Sequence, residues 1–206
     1  MDDQEIIRLF ETSFPEIGAY TKEVREVLEV LVCVPESISL LLLRSVLEKD
    51  ATELFEPIEA LHELIRVDGE HVSFFYPELA EWLCDEERSG QFALQSTKFA
   101  ELGDVLWCAY KDLDNTPFQQ EVLEWLPKFI KFTSLWEGTE DNARELNNFA
   151  HYLSGRGRLE PSVELYFRVL QIAEEIGKII SRLRWRLDTH SLKNFRIQPG
   201  HFRMWT

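Results

Sequence analysis

The sequence predicts a mainly α-helical protein carrying one small β-hairpin, and three observations predict it. Apolar residues recur at three- and four-residue intervals through most of the 206 positions, as one buried helix face requires. One stretch departs from that period. Leu64-Ile65-Arg66-Val67 and Val72-Ser73-Phe74-Phe75-Tyr76 are β-rich runs around Asp68-Gly69, a pair that tolerates the positive φ of a tight turn. Within the second run Val72, Phe74 and Tyr76 alternate on one face, as in a half-buried strand. Finally, Pro77 directly follows the hairpin and opens a further helical run through Leu83, at a position where its missing N–H costs nothing. Helices, a hairpin and a closing helix make up the order of a winged-helix domain, with Asp68-Gly69 expected at the tip of the wing.

In chain order, Ile6, Ile7, Leu9 and Phe10 mark a short amphipathic helix over residues 4–12 that ends before Pro15. Thr21 is placed to cap a helix whose apolar positions are Val24, Val27, Leu28, Leu31 and Val32. Pro35-Glu36-Ser37 breaks it, and Ser37 or Ser39 starts a second helix through Leu47. A third follows Asp50, with Leu54, Phe55, Ile58, Leu61, His62 and Ile65 as its expected buried stripe. Beyond Gly90 a helix is expected from about Thr97 to Leu113. Thr116-Pro117 then reads as a cap and first helical residue, before a helix carrying Phe118, Val122, Leu123, Leu126, Phe129 and Ile130 and kinked at Pro127.

Residues 143–176 follow the spacing of a tetratricopeptide repeat, a 34-residue helix-turn-helix: Leu146, Phe149, Ala150, Leu153, Gly157, Leu159, Ser162, Tyr166, Val169 and Ile172. Ala150 and Ser162 are the small residues expected where the two helices cross, and Gly155 and Gly157 belong in or near the turn. Ser162 and Val169 stand where alanine is usual. The resulting organisation is an N-terminal helix and linker (1–20), a winged-helix domain (21–95), a helical pair (96–140), a tetratricopeptide-like repeat (141–177) and a basic tail (178–206).

Charge bounds the function. The chain carries −15 overall, but the tail carries +6, leaving −21 on residues 1–177. Such a body repels nucleic acid, whose binding needs a basic surface to release counterions. The helix that would enter the major groove, residues 51–64, bears Glu53, Glu56, Glu59 and Glu63 and no Lys or Arg. No specific nucleic acid is expected. The N-terminus is acidic where a signal peptide is basic, and the most apolar run, residues 38–47, is too short to span a bilayer and contains Arg44. A cytoplasmic protein without a membrane partner is expected, with Cys33, Cys84 and Cys108 as reduced, buried thiols.

Tempting chemical sites have simpler readings. His62-Glu63-Leu64-Ile65-Arg66 begins like a zinc-protease helix, but Arg66 stands where the second histidine would be. The carboxylates Glu78, Glu81, Asp85, Glu86 and Glu87 read as a solvated helix end, and Gly155-Arg156-Gly157-Arg158 as an inter-helix turn. No Gly-x-x-x-x-Gly-Lys-Ser/Thr loop occurs among the nine glycines. No catalytic residue, metal site or cofactor is assigned.

Several segments together resemble a known module: Phe14-Pro15 and Tyr20, Val24 through Leu31, Leu64-Ile65-Arg66-Val67, Val72 through Tyr76, and Glu81 through Phe92. They are similar to the winged-helix region that follows the nucleotide-binding core in NACHT-type (STAND) signalling ATPases with C-terminal repeats. Asp85…Arg88-Ser89-Gly90-x-Phe92 is the most distinctive piece, and the likeness covers roughly residues 5–176. The resemblance implies a non-enzymatic regulatory module whose winged helix packs on a nucleotide-binding core, from the same or another chain, while the repeat senses a protein partner. In the family a histidine just before the fourth helix often touches the nucleotide phosphate. The aligned residue here is Tyr76, which can donate a hydrogen bond but carries no positive charge.

On this reading the repeat's inner helix presents Asn147, Asn148, His151 and Tyr152 to a protein partner. Two competing expectations remain. One is a winged-helix transcriptional regulator dimerising through its C-terminal helices, and the other is a hydrolase using the acidic cluster.

Overall fold

Side-chain caps set the first helices. The computed structural model describes residues 2–15, 20–34, 36–94 and 98–176. Asp2 and Glu5 form a reciprocal capping box that opens α1 (Asp3–Ser13), and Thr21 caps α2 (Lys22–Leu31) by accepting from the Val24 amide. Ser39 accepts from the Leu42 amide to open α3 (Leu40–Leu47), which ends on Glu48 in the left-handed region at φ 52°. Asp50 and Glu53 make a second capping box for α4 (Ala51–Ala60). Pro35, expected to break α2, lies outside the described residues.

The hairpin is present and has a third strand. β1 (Ile38–Ser39), β2 (Ile65–Asp68) and β3 (His71–Phe74) form an antiparallel sheet in the order β1-β3-β2. Ile38 pairs with Val72, and Ile65 with Phe74. The connectivity from α2 through β1, α3 and α4 to the hairpin is that of a winged helix. β1 was not expected: at two residues it is too short to show any period, and it forms because Ile38 is fully buried against the sheet.

The wing tip also differs. Asp68 pairs with His71, so the two-residue loop is Gly69-Glu70, one position later than expected. Gly69 takes φ +60° while Glu70 keeps an ordinary φ, which is the pattern of a type II′ turn. Tyr76 lies past the end of β3 and is 45% exposed, so the expected alternation stops at Phe74.

The α4 stripe needs correction too. Leu54, Pro57, Leu61 and Leu64 face the core, whereas Phe55 and His62 point outward and Ile65 belongs to β2. One residue of helix is a 100° rotation, which carries Phe55 from the core onto the flank.

Pro77 precedes α5 (Glu78–Cys84), as expected, and Asp85 caps the single turn α6 (Glu86–Ser89) by accepting from the Glu87 and Arg88 amides. A short 3-10 turn, Gly90–Phe92, then delivers Phe92 into an aromatic cluster. Phe10 lies 5.2 Å from Trp82 and 5.1 Å from Phe92 between ring centroids, and Tyr20 stands edge-on to Phe92 at 5.5 Å. The Arg88-Ser89-Gly90-x-Phe92 piece thus anchors α1. Phe92 meets Phe10, Arg88 pairs with Asp3 at 2.6 Å, and the buried Ser89 hydroxyl donates to the Asp85 carbonyl.

α7 (Lys98–Lys111) and α8 (Gln119–Phe129) follow. Thr97 lies outside the described residues. Thr116 does not cap α8, which starts at Gln119 without a side-chain cap. Its hydroxyl instead donates back toward the carbonyls of Ala109 and Asp112, closing the preceding turn. Pro127 sits inside α8, which ends two residues later and passes into 3-10 turns at Ile130–Phe132 and Ser134–Trp136.

The chain divides into two compact units, Met1–Ser134 and Leu135–Thr206. The first contains the winged helix with α1, α7 and α8. The second is an antiparallel pair, α9 (Glu140–Gly155), capped by Thr139, and α10 (Leu159–Ile176). Its crossing is as the spacing requires: the buried Ser162 hydroxyl donates to the Ala150 carbonyl at 2.8 Å. Gly157 turns the chain at φ +77°. Leu159 is 48% exposed and not part of the seam, whose additional members are Ala143, Leu165 and Ala173. The basic tail, 178–206, lies outside the described residues.

Candidate functional site

The winged-helix unit carries an apolar groove of about 450 Å³ between α3, α4 and β2. Leu40 and Leu41 form one wall, Phe55 and Ile58 the other, and Val67 closes the end at the wing. Phe55 is 65% exposed and Val67 47%, so these two side chains leave hydrocarbon open to solvent along the groove. Arg44 lies in the α3 wall, and its Nε is buried without a hydrogen-bond partner. Polar groups left in that state are uncommon, because each costs about 1–3 kcal/mol.

Two charged residues of opposite sign, Arg44 and Glu70, line the groove. Glu56, Glu59 and Glu63 are exposed elsewhere on α4 and the turn after it, and the Ser13 hydroxyl of α1 donates to the Glu63 carboxylate at 3.4 Å. Sequence reasoning found the carboxylates and missed the groove, since Phe55 at helical spacing reads as core. The signal that could have found it was the phase of Leu54, Pro57 and Leu61, which already completes the buried face and leaves Phe55 over.

A second cleft, of about 420 Å³, lies between the β1–α3 junction, the wing tip and α8. Its organising contact is structural. Glu121 accepts from the Ser39 amide at 2.7 Å and from the Ser39 hydroxyl at 2.6 Å, which fixes α8 to the start of α3.

The residues expected to meet a partner lie on α9. Asn148 and His151 are exposed and Asn147 and Tyr152 half-buried, with the Arg156 guanidinium 5.2 Å from the Tyr152 ring centroid. On α10, Leu159, Phe167 and Leu170 are exposed at intervals of eight and three, so they fall on one side of the helix. The sequence reading assigned Leu159 to the repeat pattern and passed over Phe167 and Leu170, because apolar residues throughout that helix fit a repeat seam.

The remaining candidates are placed plainly. His62 lies in the turn after α4, its Nδ1 3.0 Å from the Glu59 carbonyl oxygen. Glu78, Glu81, Glu86 and Glu87 are exposed, and Asp85 serves as a cap. Among the described residues no cluster of three His, Cys, Asp or Glu side chains could hold a metal ion, and no helix is long and apolar enough to cross a membrane. Of the three cysteines only Cys33 is buried, while Cys84 and Cys108 are exposed, contrary to expectation. Both lie in helices (α5 and α7) whose core faces are filled by their larger neighbours. Burial pushes the Cys33 thiol up to about 12, and burial likewise raises the Tyr20 phenol to about 12 despite the opposing pull of Arg25.

No family model, curated protein or solved structure matches the chain.

Proposed function

We propose that the protein is a non-catalytic regulatory and protein-interaction module, comparable to the winged-helix and repeat part of a NACHT-type signalling switch. One observation carries the reading. The segment on which a DNA-binding winged helix would place its basic contacts, residues 51–64, here exposes Glu56, Glu59 and Glu63 and has no Lys or Arg, while its Leu54, Phe55 and Ile58 line an apolar groove. Carboxylates at that position oppose phosphate, while hydrocarbon in a groove gains free energy by burial against another apolar surface. The α9 face with Asn147, Asn148, His151 and Tyr152 serves as a further contact on this reading.

The test places a photo-crosslinking amino acid at position 55, 151 or, as a control, Glu11, in the full chain within cells. Expected is one recurrent protein adduct at 55 or 151 that is missing at 11. Salt-dependent retention of duplex DNA at micromolar protein would overturn the reading in favour of a transcriptional regulator.

A specific observation favours dimerisation as a second reading: the exposed Leu159, Phe167 and Leu170 stripe on α10. An apolar stripe of this kind suits either a further repeat or a second copy of the chain. Light scattering of the full chain at low and high concentration decides. A mass that rises with concentration, and returns to the monomer value in Phe167→Glu, supports the dimer; a constant monomer sinks it.

A further inference from the structure

Going beyond the interaction-module reading, we infer that the apolar flank of α10 seats this chain's own segment 180–187, docked there as one further helix of the repeat. The flank comes first. Leu159, Val163, Tyr166, Phe167 and Leu170 follow at intervals of four, three, one and three, so they form one stripe along the helix. It lies beside the buried face of α10, which uses Ser162, Leu165, Val169 and Ile172. Val163 and Tyr166 are half-buried, whereas Leu159, Phe167 and Leu170 are exposed, Phe167 to 59%. In stacked repeats a flank of this kind is buried against the next helix in the chain.

The period says which helix that is. Advancing Leu146, Phe149 and Leu153 of α9 by the repeat's 34 residues lands on Ile180, Leu183 and Leu187. These three recur at three- and four-residue intervals and share one helical face, with Arg182 and Arg186 opposite. Beyond them the match stops. Arg184 stands 34 residues past Ala150 and is too large for a close crossing, while Pro199 and Gly200 stand 34 past Leu165 and Tyr166 and do not continue a helix. The segment therefore supplies one helix and not a whole repeat.

Chain length permits the contact. Gly177 follows α10 directly, and glycine is the commonest residue just past a helix end. From Gly177, Leu183 lies six residues on and Leu170 seven back, while Leu187 and Phe167 each lie ten away. Folded back antiparallel at about 1.5 Å per residue, each pair stands level, about 10 and 15 Å from the turn. A segment on so short a tether has an effective concentration of about millimolar, so it outcompetes a second copy at micromolar protein.

The test is nuclear magnetic resonance on the full chain, with protonated Ile, Leu and Val methyls and Phe rings in a deuterated background. Expected are cross-relaxation peaks from the Leu187 methyls to the Phe167 ring and from the Leu183 methyls to those of Leu170, in a sample of monomer mass by light scattering. Phe167→Glu and Leu183→Asp should each abolish them and speed amide exchange across 180–187 at least about tenfold. The Ala150 and Ser162 amides should keep their shifts and so report an intact α9–α10 pair. If Phe167→Glu disturbs those amides, Leu183→Asp, which leaves both helices unaltered, decides.

Absence of these contacts overturns the inference. Contacts seen only between differently labelled copies in a mixed sample overturn it too, because they assign the stripe to a second chain. Crosslinking at position 55 does not involve α10, so failure here leaves the interaction module standing.

Discussion

Gly103 sets two physical effects against each other. It lies in the interior of α7, where replacing glycine by alanine ordinarily stabilises a helix by about 1 kcal/mol through backbone entropy. A Cβ built there would stand 2.6 Å from the Thr133 Cγ2 and 3.0 Å from the Phe129 carbonyl oxygen. Both neighbours belong to the end of α8 and the 3-10 turn after it, and Thr133 is buried. Inserting a methyl into such packing costs about 1–3 kcal/mol, because the Thr133 methyl, the severe clash, is held in place by the bond of its buried hydroxyl and cannot swing aside as the far end of a flexible side chain can.

Gly103→Ala should therefore lower stability by up to about 2 kcal/mol, or about 2–4 °C in Tm per kcal/mol for a chain of this size. Thr133→Ser removes the nearer obstacle and keeps the hydroxyl that donates to the Ile130 carbonyl at 2.7 Å. On its own it should cost about 1 kcal/mol for the lost methyl. In that background the alanine substitution should cost much less, giving a coupling of about 1–2 kcal/mol. Urea denaturation of the four proteins, followed by circular dichroism, measures the cycle. A Gly103→Ala protein more stable than its parent, or an equal effect in both backgrounds, would refute the steric argument and leave helix propensity in command.

Three further outcomes follow from single sites. Glu121→Ala should destabilise the first unit by about 1–3 kcal/mol in urea titrations, because the Ser39 amide and hydroxyl lose their acceptor where Ser39 is 7% exposed; Glu121→Gln, which can accept but not at both oxygens, should fall between. With a thiol-specific chromophore in native buffer, Cys84 and Cys108 should react promptly and Cys33 only after denaturation, so three fast thiols would contradict its burial. The Tyr20 phenol, raised from about 10 in the unfolded chain to about 12, favours the folded state below pH 10 by about 2–3 kcal/mol, and that contribution is lost as pH rises from 10 to 12. Ultraviolet titration should show one late tyrosine that disappears in Tyr20→Phe, and simultaneous ionisation of all five would refute it.

Local features were legible in the sequence because their determinants are local. Thr21, Ser39 and Asp50 cap the helices that begin after them, and Ala150 and Ser162 meet at the crossing that their spacing predicts. Glycine at the wing and at the α9–α10 turn was likewise readable, since positive φ is a property of the residue itself. The carboxylates that argue against nucleic acid needed no coordinates.

Only the tertiary structure decided which apolar residues remain outside. Phe55, Phe167 and Leu170 have the same composition and spacing signal as Leu54 and Leu165, yet the first three are exposed and the last two buried. The period of a helix fixes the angle between side chains but not the direction of the neighbouring element. That direction depends on residues far away in the chain: Val72 pairing with Ile38, Glu121 holding Ser39, Phe92 meeting Phe10. The groove is lined jointly by α3, α4 and β2, a geometry with no counterpart in any single segment.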